Sequence, residues 1–188
     1  QNKKIRYVNN VNKGLGGAMK SGFIHALKFD PEIIIKIDSD GQMNPFLIPR
    51  LIEPLLKGKA ELSKGNRFTN PNFIKKMPPL RLIGNIGLGF ITKLSTGYWE
   101  LFDPTNGFIA IRTDVLKEIS LEKIDNGFFF ETDLLFRCAL SNILISEISM
   151  EAVYAQEKSN LNPLKELFRF SFKHLNIFFK RLAYQYFL

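Results

Sequence analysis

Asp38 and Asp40 stand one residue apart in the stretch IKIDSDGQMNP, residues 35–45, with Gln42 following at the same spacing. Two carboxylates and an amide within five residues form a set of hard oxygen donors. Mg²⁺ or Mn²⁺ takes such ligands while keeping waters and substrate phosphates in its shell. The preceding residues Ile33, Ile34, Ile35 and Ile37 read as a buried strand running to about residue 38. That puts the acidic pair at a strand's carboxyl end, where open α/β sheets bind their ligands. On a strand, residues i and i+2 project to one side, so the two like charges repel unless something positive lies between them. The competing reading is a solvated turn whose Asp caps the next helix.

Three other stretches could carry chemistry. Asn12-Lys13-Gly14-Leu15-Gly16-Gly17-Ala18 lies between an expected strand and an expected helix, a place where backbone N–H groups commonly face a phosphate. Met19 occupies the place of the third glycine of a dinucleotide fingerprint, and no Gly-Lys-Ser/Thr follows, so neither standard phosphate motif is present. A tight turn packing helix on strand explains the glycines equally well. Asp103 opens DPTNGF, which also suits an Asx turn before Pro and Gly. Glu131 and Asp133 sit two apart on an expected helix and so face different ways; one of them, raised in pKa by burial, could serve as a general base.

These residues need a frame. The chain alternates: a strand near 5–9, a helix ending near 29, a strand at 33–38, a helix near 46–57 and a strand near 60–65. A long loop is expected over 66–80, which holds Pro71, Pro78 and Pro79; loops of that length tend to be functional or disordered, and an acceptor lid, mobile without substrate, is the functional expectation. A helix from 82 to 95, a strand over FIAIR, helices from 114 and over 128–141, and a strand at 143–149 complete the pattern. Such alternation indicates an α/β sheet with a mostly parallel core flanked by helices. Residues 1–161 read as the main domain and 162–188 as a separate amphipathic, basic helix.

Composition narrows the class. The 188 residues carry a net charge of +8 and 18 phenylalanines. Cys138 is the single cysteine and His25 and His174 are the only histidines, which argues against a disulfide framework or a thiolate or His-rich zinc site. No zinc-finger, RRM or KH pattern is present, so the positive charge is assigned to phosphorylated substrate or anionic lipid, not to nucleic acid. No run reaches the about 18 apolar residues that span a bilayer. QNKKIRYVNN is not built like a signal peptide and opens just before a strand. The expectation is a cytoplasmic protein, peripheral at the inner face of the membrane, whose chain starts inside a larger domain. In the tail, Leu164, Phe168, Phe172, Leu175, Phe179, Leu182 and Tyr186 make an apolar stripe, with Lys165, Arg169, Lys173 and Lys180 beside it. This suits a helix lying in an anionic membrane interface; packing of the Phe face onto the domain is the alternative.

The ordered set NKGLGGAMKSGFIHAL, IKIDSDGQMNP, KGNRF, DPTNGFIAIR and GFFFETDLLFR resembles family 2 glycosyltransferases, most of all the dolichol- and polyprenyl-phosphate sugar transferase branch. The resemblance covers about residues 5–161 and implies a GT-A fold, a nucleotide-diphosphate sugar donor and a divalent metal between the DxD carboxylates and the diphosphate. It implies an inverting transfer to a lipid-linked acceptor in cell-surface polysaccharide synthesis; a non-catalytic docking module is the alternative. Asp40 and Gln42 would then be the foremost metal ligands, with Asp38 turned to metal, ribose or sugar. Asn12 and Gly14 would help hold the donor. Arg67 matches the Arg of the family's GSR motif and would meet donor phosphates, while Arg81 resembles the basic residue near the acceptor phosphate. Asp103 would shape the acceptor pocket, and Asp133 aligns best with the family's acidic base. The "YNE" and "DDGS" motifs of the family's first strands are missing, which implies an N-terminally truncated domain. The Arg before "GxSKL" is also missing, and Lys158 stands as its substitute for the acceptor phosphate.

Overall fold

The computed structural model describes residue 8 and residues 14–75, 77–151 and 163–186. The strand expected at 5–9 lies outside the described residues. Strands β1 (Ile33–Lys36), β2 (Leu62–Asn66), β3 (Ile109–Arg112) and β4 (Ile145–Ser149) form one sheet in the order β1-β3-β2-β4. The strands β1, β2 and β4 run one way, and β3 is inserted antiparallel between β1 and β2. The expected parallel direction therefore holds for three strands, and the sheet is mixed because of the fourth. Strand β1 ends at Lys36, two residues short of the expected bound, so Asp38 and Asp40 belong to the turn that follows it.

The inward faces of the strands divide the core in two. Ile34, Leu62, Ile109 and Ile111 meet Phe23 of α1 (Gly14–Leu27), Val115 and Leu116 of α5 (Thr113–Glu118), and Phe130, Leu134 and Cys138 of α6 (Phe130–Leu140). Phe108, Ala110 and Ile148 meet Leu51 and Leu55 of α2 (Ile48–Leu56) on the other face. Successive residues of β3 serve opposite clusters, as the pleat requires. A third cluster joins Phe129 and Phe136 to Phe170 and Ile177 of α7 (Pro163–Tyr186), which also packs on α4 (Pro79–Thr96).

Local signals explain most of the ends. The Asn44 side chain accepts from the Phe46 N–H at 3.0 Å and Pro45 opens a 3-10 turn before α2. The supposed loop 66–80 contains a short helix, α3 (Pro71–Lys75): Asn70 accepts from the Asn72 N–H at 2.9 Å and Pro71 takes the first position. The next helix, α4, likewise starts on a proline, earlier than expected, because proline costs nothing in a first turn. Short turns with a left-handed residue precede each of the three parallel strands: Asp30 (φ 44°), Gly58 (φ 64°) and Asn142 (φ 53°).

The glycine-rich stretch is not a loop either, since α1 begins at Gly14. Its glycines permit close packing on the 125–127 segment: Gly17 N–H donates to Asn126 O at 3.0 Å, and a methyl on Gly16 would overlap the Asp125 carbonyl. The described contacts of these glycines are thus with the 125–127 segment, not with a strand.

Candidate active site

The carboxyl ends of β1, β2 and β4 and the amino end of β3 open on one cleft of about 350 Å³. Asp38, Asp40 and Gln42 line it from the turn after β1, Arg67 from the end of β2, and Arg81 from the first turn of α4. Thr105, Asn106 and Gly107 line it from the segment before β3, and Phe128 and Glu131 from the start of α6. Antiparallel insertion of β3 makes this possible, because it brings the strand's entry, not its exit, to the site.

A lysine that the sequence reading passed over organises the acidic side. Lys36 is only 5% exposed, and its Nζ lies 2.9 Å from Asp38 Oδ2 and 3.3 Å from Glu131 Oε1. It supplies positive charge to Asp38 and Glu131, not to the Asp38–Asp40 pair that the sequence brings to mind. Gly107 leaves it room, since a methyl there would overlap the ammonium. The signal for Lys36 in the sequence is a lone cation in an otherwise apolar strand.

The basic side rests on Asp103, which is fully buried (0% exposed) and so does not face the cleft. Its carboxylate accepts from Arg67 Nε at 2.7 Å, Arg67 Nη2 at 2.8 Å and the Arg67 backbone N–H at 3.0 Å. Burial alone would raise the Asp103 pKa, but the Arg67 hydrogen bonds and charge, with help from Lys64, hold it below the usual carboxylate range. Asp103 therefore orients Arg67, and it does not line the cleft as the acceptor-pocket role expected of it would require. Glu147 in turn accepts from the Phe102 and Asp103 N–H groups at 2.9 and 2.8 Å and from Asn66 Nδ2 at 2.6 Å. The completely buried Lys64 donates to Pro104 O at 2.7 Å, and burial pushes its pKa down to about 8. Polar residues inside the short strand LSKGN were the available sign of this network.

The two candidate bases separate as their spacing requires. Glu131 lines the cleft; Asp133 does not. The Asp133 carboxylate accepts from the Asp125 N–H at 2.8 Å and lies 3.6 Å from Arg137, and burial lifts its pKa against that arginine. Its place is to fasten the 125–127 segment. Gly14 also lies away from the cleft, against Asn126 O, while its neighbour Leu15 forms part of the wall. Asn12 and Lys158 lie outside the described residues.

The acidic turn suits a divalent cation that shares its shell with substrate. Asp38 Oδ2 is held by Lys36, and Asp40 Oδ1 accepts from the Gln42 N–H at 3.0 Å. Each keeps a second carboxylate oxygen without a hydrogen bond among the described residues. No three His, Cys, Asp or Glu side chains converge among those residues. An all-protein cage is thus not formed, whereas one or two carboxylates completed by waters and phosphates is the arrangement Mg²⁺ commonly uses.

A model described as glycosyl transferase family 2 matches residues 1–120. The chain belongs to that family. Among the relatives of this family 2 chain is the UDP-N-acetylglucosamine–dolichyl-phosphate N-acetylglucosaminyltransferase of Methanococcus voltae, 31% identical over 154 residues, or 82% of this chain and 61% of that one. Another is the polyprenol monophosphomannose synthase of Mycolicibacterium smegmatis, 28% identical over 72% of this chain and 51% of that one. The chain spans about three-fifths of the length of the first curated relatives it matches. In structure it is similar to glucosyl-3-phosphoglycerate synthase from Mycobacterium tuberculosis, crystallised with Mn²⁺, UDP-glucose and phosphoglyceric acid. That match has a TM-score of 0.63 at 18% identity and covers 93% of this chain and 57% of that one. The family 2 chain has the GT-A fold.

Proposed function

We propose that this chain is the catalytic part of a glycosyltransferase that moves a sugar from a nucleoside-diphosphate donor to a lipid monophosphate. The observation that carries this reading is the single cleft holding Asp38, Asp40 and Gln42 on one wall and Arg67 and Arg81 on the other. Relatives named for dolichyl-phosphate and polyprenol acceptors support the acceptor class.

In this reading Asp40, with Asp38 and Gln42, would hold Mg²⁺ or Mn²⁺. A cation bound there would supply electrostatic, Lewis-acid stabilisation to a diphosphate leaving group. Arg67, oriented by Asp103, offers its guanidinium to the donor phosphates, a task to which the planar fork is suited. Arg81 meets the acceptor phosphate. That phosphate is already ionised and needs little help from a base, so Glu131, paired with Lys36, serves to orient the reactants. Attack of a phosphate oxygen on the anomeric carbon, opposite the departing diphosphate, inverts the configuration. A carbon–oxygen bond forms as the sugar–diphosphate bond breaks, and no net proton is lost from a hydroxyl.

The tail supports work at the inner membrane surface. Phe172 (73% exposed), Leu175, Phe179 and Tyr186 face outward from α7, while Phe170, His174 and Ile177 pack inward. Lys173 is engaged with Asp125 and the Phe129 ring, so it is not available to headgroups. No helix among the described residues is long and apolar enough to cross a membrane. The test is Mn²⁺-dependent binding of UDP and GDP by calorimetry, followed by sugar transfer to polyprenyl phosphate carried in anionic vesicles. Asp40→Ala is expected to weaken the metal-dependent diphosphate binding at least tenfold; equal binding by the variant would sink the metal assignment.

A further inference from the structure

Helices α4 and α6 both set out from the cleft, where Arg81 and Glu131 line it, and both finish at a second depression, of about 850 Å³, where Thr96 and Leu140 form part of the wall. From Arg81 to Thr96 the helix rises about 22 Å, so the two sites are separate. The volume lies within the roughly 300–1,000 Å³ usual for ligand sites.

The lining combines aromatic rings with hydrogen-bonding groups that have nothing to bond. Trp99 is 52% and Tyr184 53% exposed, and Phe90 braces the indole edge-on at 6.2 Å. The side chains of Glu100, Asn142 and Gln185 form no hydrogen bond or ion pair among the described residues. Arg181 lies over the Phe178 ring but has no ion pair among them either, and its Nε is shut off from solvent without a partner. Gly97 makes room for this arginine, since a methyl there would overlap Arg181 Nη1. A buried donor left in this way is unfavourable until a ligand or a water meets it.

Charge decides which ligand can meet these groups. Glu100 and Arg181 cancel one another, and the carboxyl ends of α4 and α6 add partial negative charge. A phosphate or nucleotide is therefore opposed here, in contrast to the cleft with Arg67 and Arg81. What suits the lining is a neutral molecule rich in hydroxyl donors and acceptors, with C–H faces that can lie on the negative face of an aromatic ring. A pyranose ring has that composition. We infer that this depression binds a short neutral glycan, stacked on Trp99 and Tyr184 and hydrogen-bonded by Glu100, Asn142, Arg181 and Gln185. Such a saccharide site stands whether or not the cleft transfers a sugar.

The probes are neutral trisaccharides of glucose, mannose, galactose and N-acetylglucosamine, with inorganic pyrophosphate as the comparison. Trp99 is the sole tryptophan and lines the depression, so its emission reports on occupancy. At least one trisaccharide is expected to change that emission saturably, with a dissociation constant at or below about 1 mM, while pyrophosphate leaves it unchanged. By calorimetry, Trp99→Ala and Tyr184→Ala should each weaken that sugar at least tenfold with helix content and Mn²⁺–UDP binding retained, and Trp99→Phe should restore most of the affinity. Asp40→Ala should bind the sugar as the wild type does. No saturable binding by any of these sugars, undiminished affinity in both alanine variants, competition by pyrophosphate, or loss of sugar binding in Asp40→Ala each overturns the assignment. Failure of Mn²⁺–UDP binding with Trp99-dependent sugar binding intact would instead refute the transferase reading and leave the saccharide site standing.

Discussion

Replacing Asp103 by asparagine changes one oxygen into an amino group and should have an effect far beyond that. Asp103 has no exposure, and its carboxylate accepts three hydrogen bonds from Arg67, one from Asn106 Nδ2 at 3.3 Å and one from Thr105 Oγ1 at 3.4 Å. An amide offers only one acceptor oxygen, so at least one Arg67 donor would face the new NH₂ group. Removing one partner of a buried ion pair costs about 3–5 kcal/mol, because the other charge stays behind. The Lys64 ammonium, which lies near Asp103 and is already depressed by burial, loses a favourable charge as well. With a urea slope of roughly 2.5 kcal/mol per molar, the unfolding midpoint should fall by about 1.2–2 M.

The pH dependence gives an independent check. The folded pKa of Asp103 is lowered below the unfolded value of about 3.9, so its contribution is complete above that value and is lost as pH falls through the folded pKa. The part of the gap between wild type and Asp103→Asn that comes from the carboxylate should therefore be flat between pH 5 and 6 and close below pH 4, while near neutrality Lys64, deprived of Asp103, adds its own pH dependence. Urea unfolding followed by Trp99 emission and circular dichroism measures both. A midpoint loss equivalent to less than about 1 kcal/mol, or a gap that does not close below pH 4, would refute the view that Asp103 acts as a buried counter-ion to Arg67.

Two further outcomes follow from buried groups. His174 is 3% exposed, its Nδ1 lies 2.8 Å from Ser95 Oγ, and burial lowers its pKa to about 4. Because the unfolded chain takes up this proton first, stability is complete above pH 6.5 and falls by about 1.4 kcal/mol per unit toward pH 4, roughly 3 kcal/mol in all; His174→Gln should flatten that slope in a pH series of thermal midpoints, and an unchanged slope would contradict it. Gly107→Ala should displace Lys36 from Asp38 and Glu131 and weaken Mn²⁺–UDP binding about tenfold with little change in helix content, whereas wild-type binding would show that Lys36 does not hold the acidic wall.

Much of this was legible in the residues alone. The run Ile33–Ile35 with its acidic end, the arginine of KGNRF and the Asx-like DPTNG segment all arrive at one edge of the sheet, as their positions at strand ends suggested. What stayed hidden depends on long-range contacts. Lys36 lies 95 residues from Glu131, and Asn66 lies 81 from Glu147, so no local periodicity marks either pair. The reversed direction of β3 was equally invisible, because FIAIR is apolar enough for either orientation and its partners are decided by the sheet. The glycines at 14–17 show a related limit: glycine marks close approach of a backbone without naming the visitor, and the 125–127 segment is one that approaches here.

Turns at Asp30, Gly58 and Asn142, each left-handed and each just before a parallel strand, gather at the pole of the sheet away from the cleft. That pole is closed by tight reversals, while the opposite pole is assembled from the longer stretches 37–47, 67–78 and 97–108. The molecule thus has one end closed by tight turns and one end built from longer connections. Chain added at Gly58, where a methyl would meet nothing within 4 Å, would hang clear of the cleft and the ion-pair network alike. A fluorophore, an affinity handle or a surface tether belongs there, and it would leave the cleft edge free.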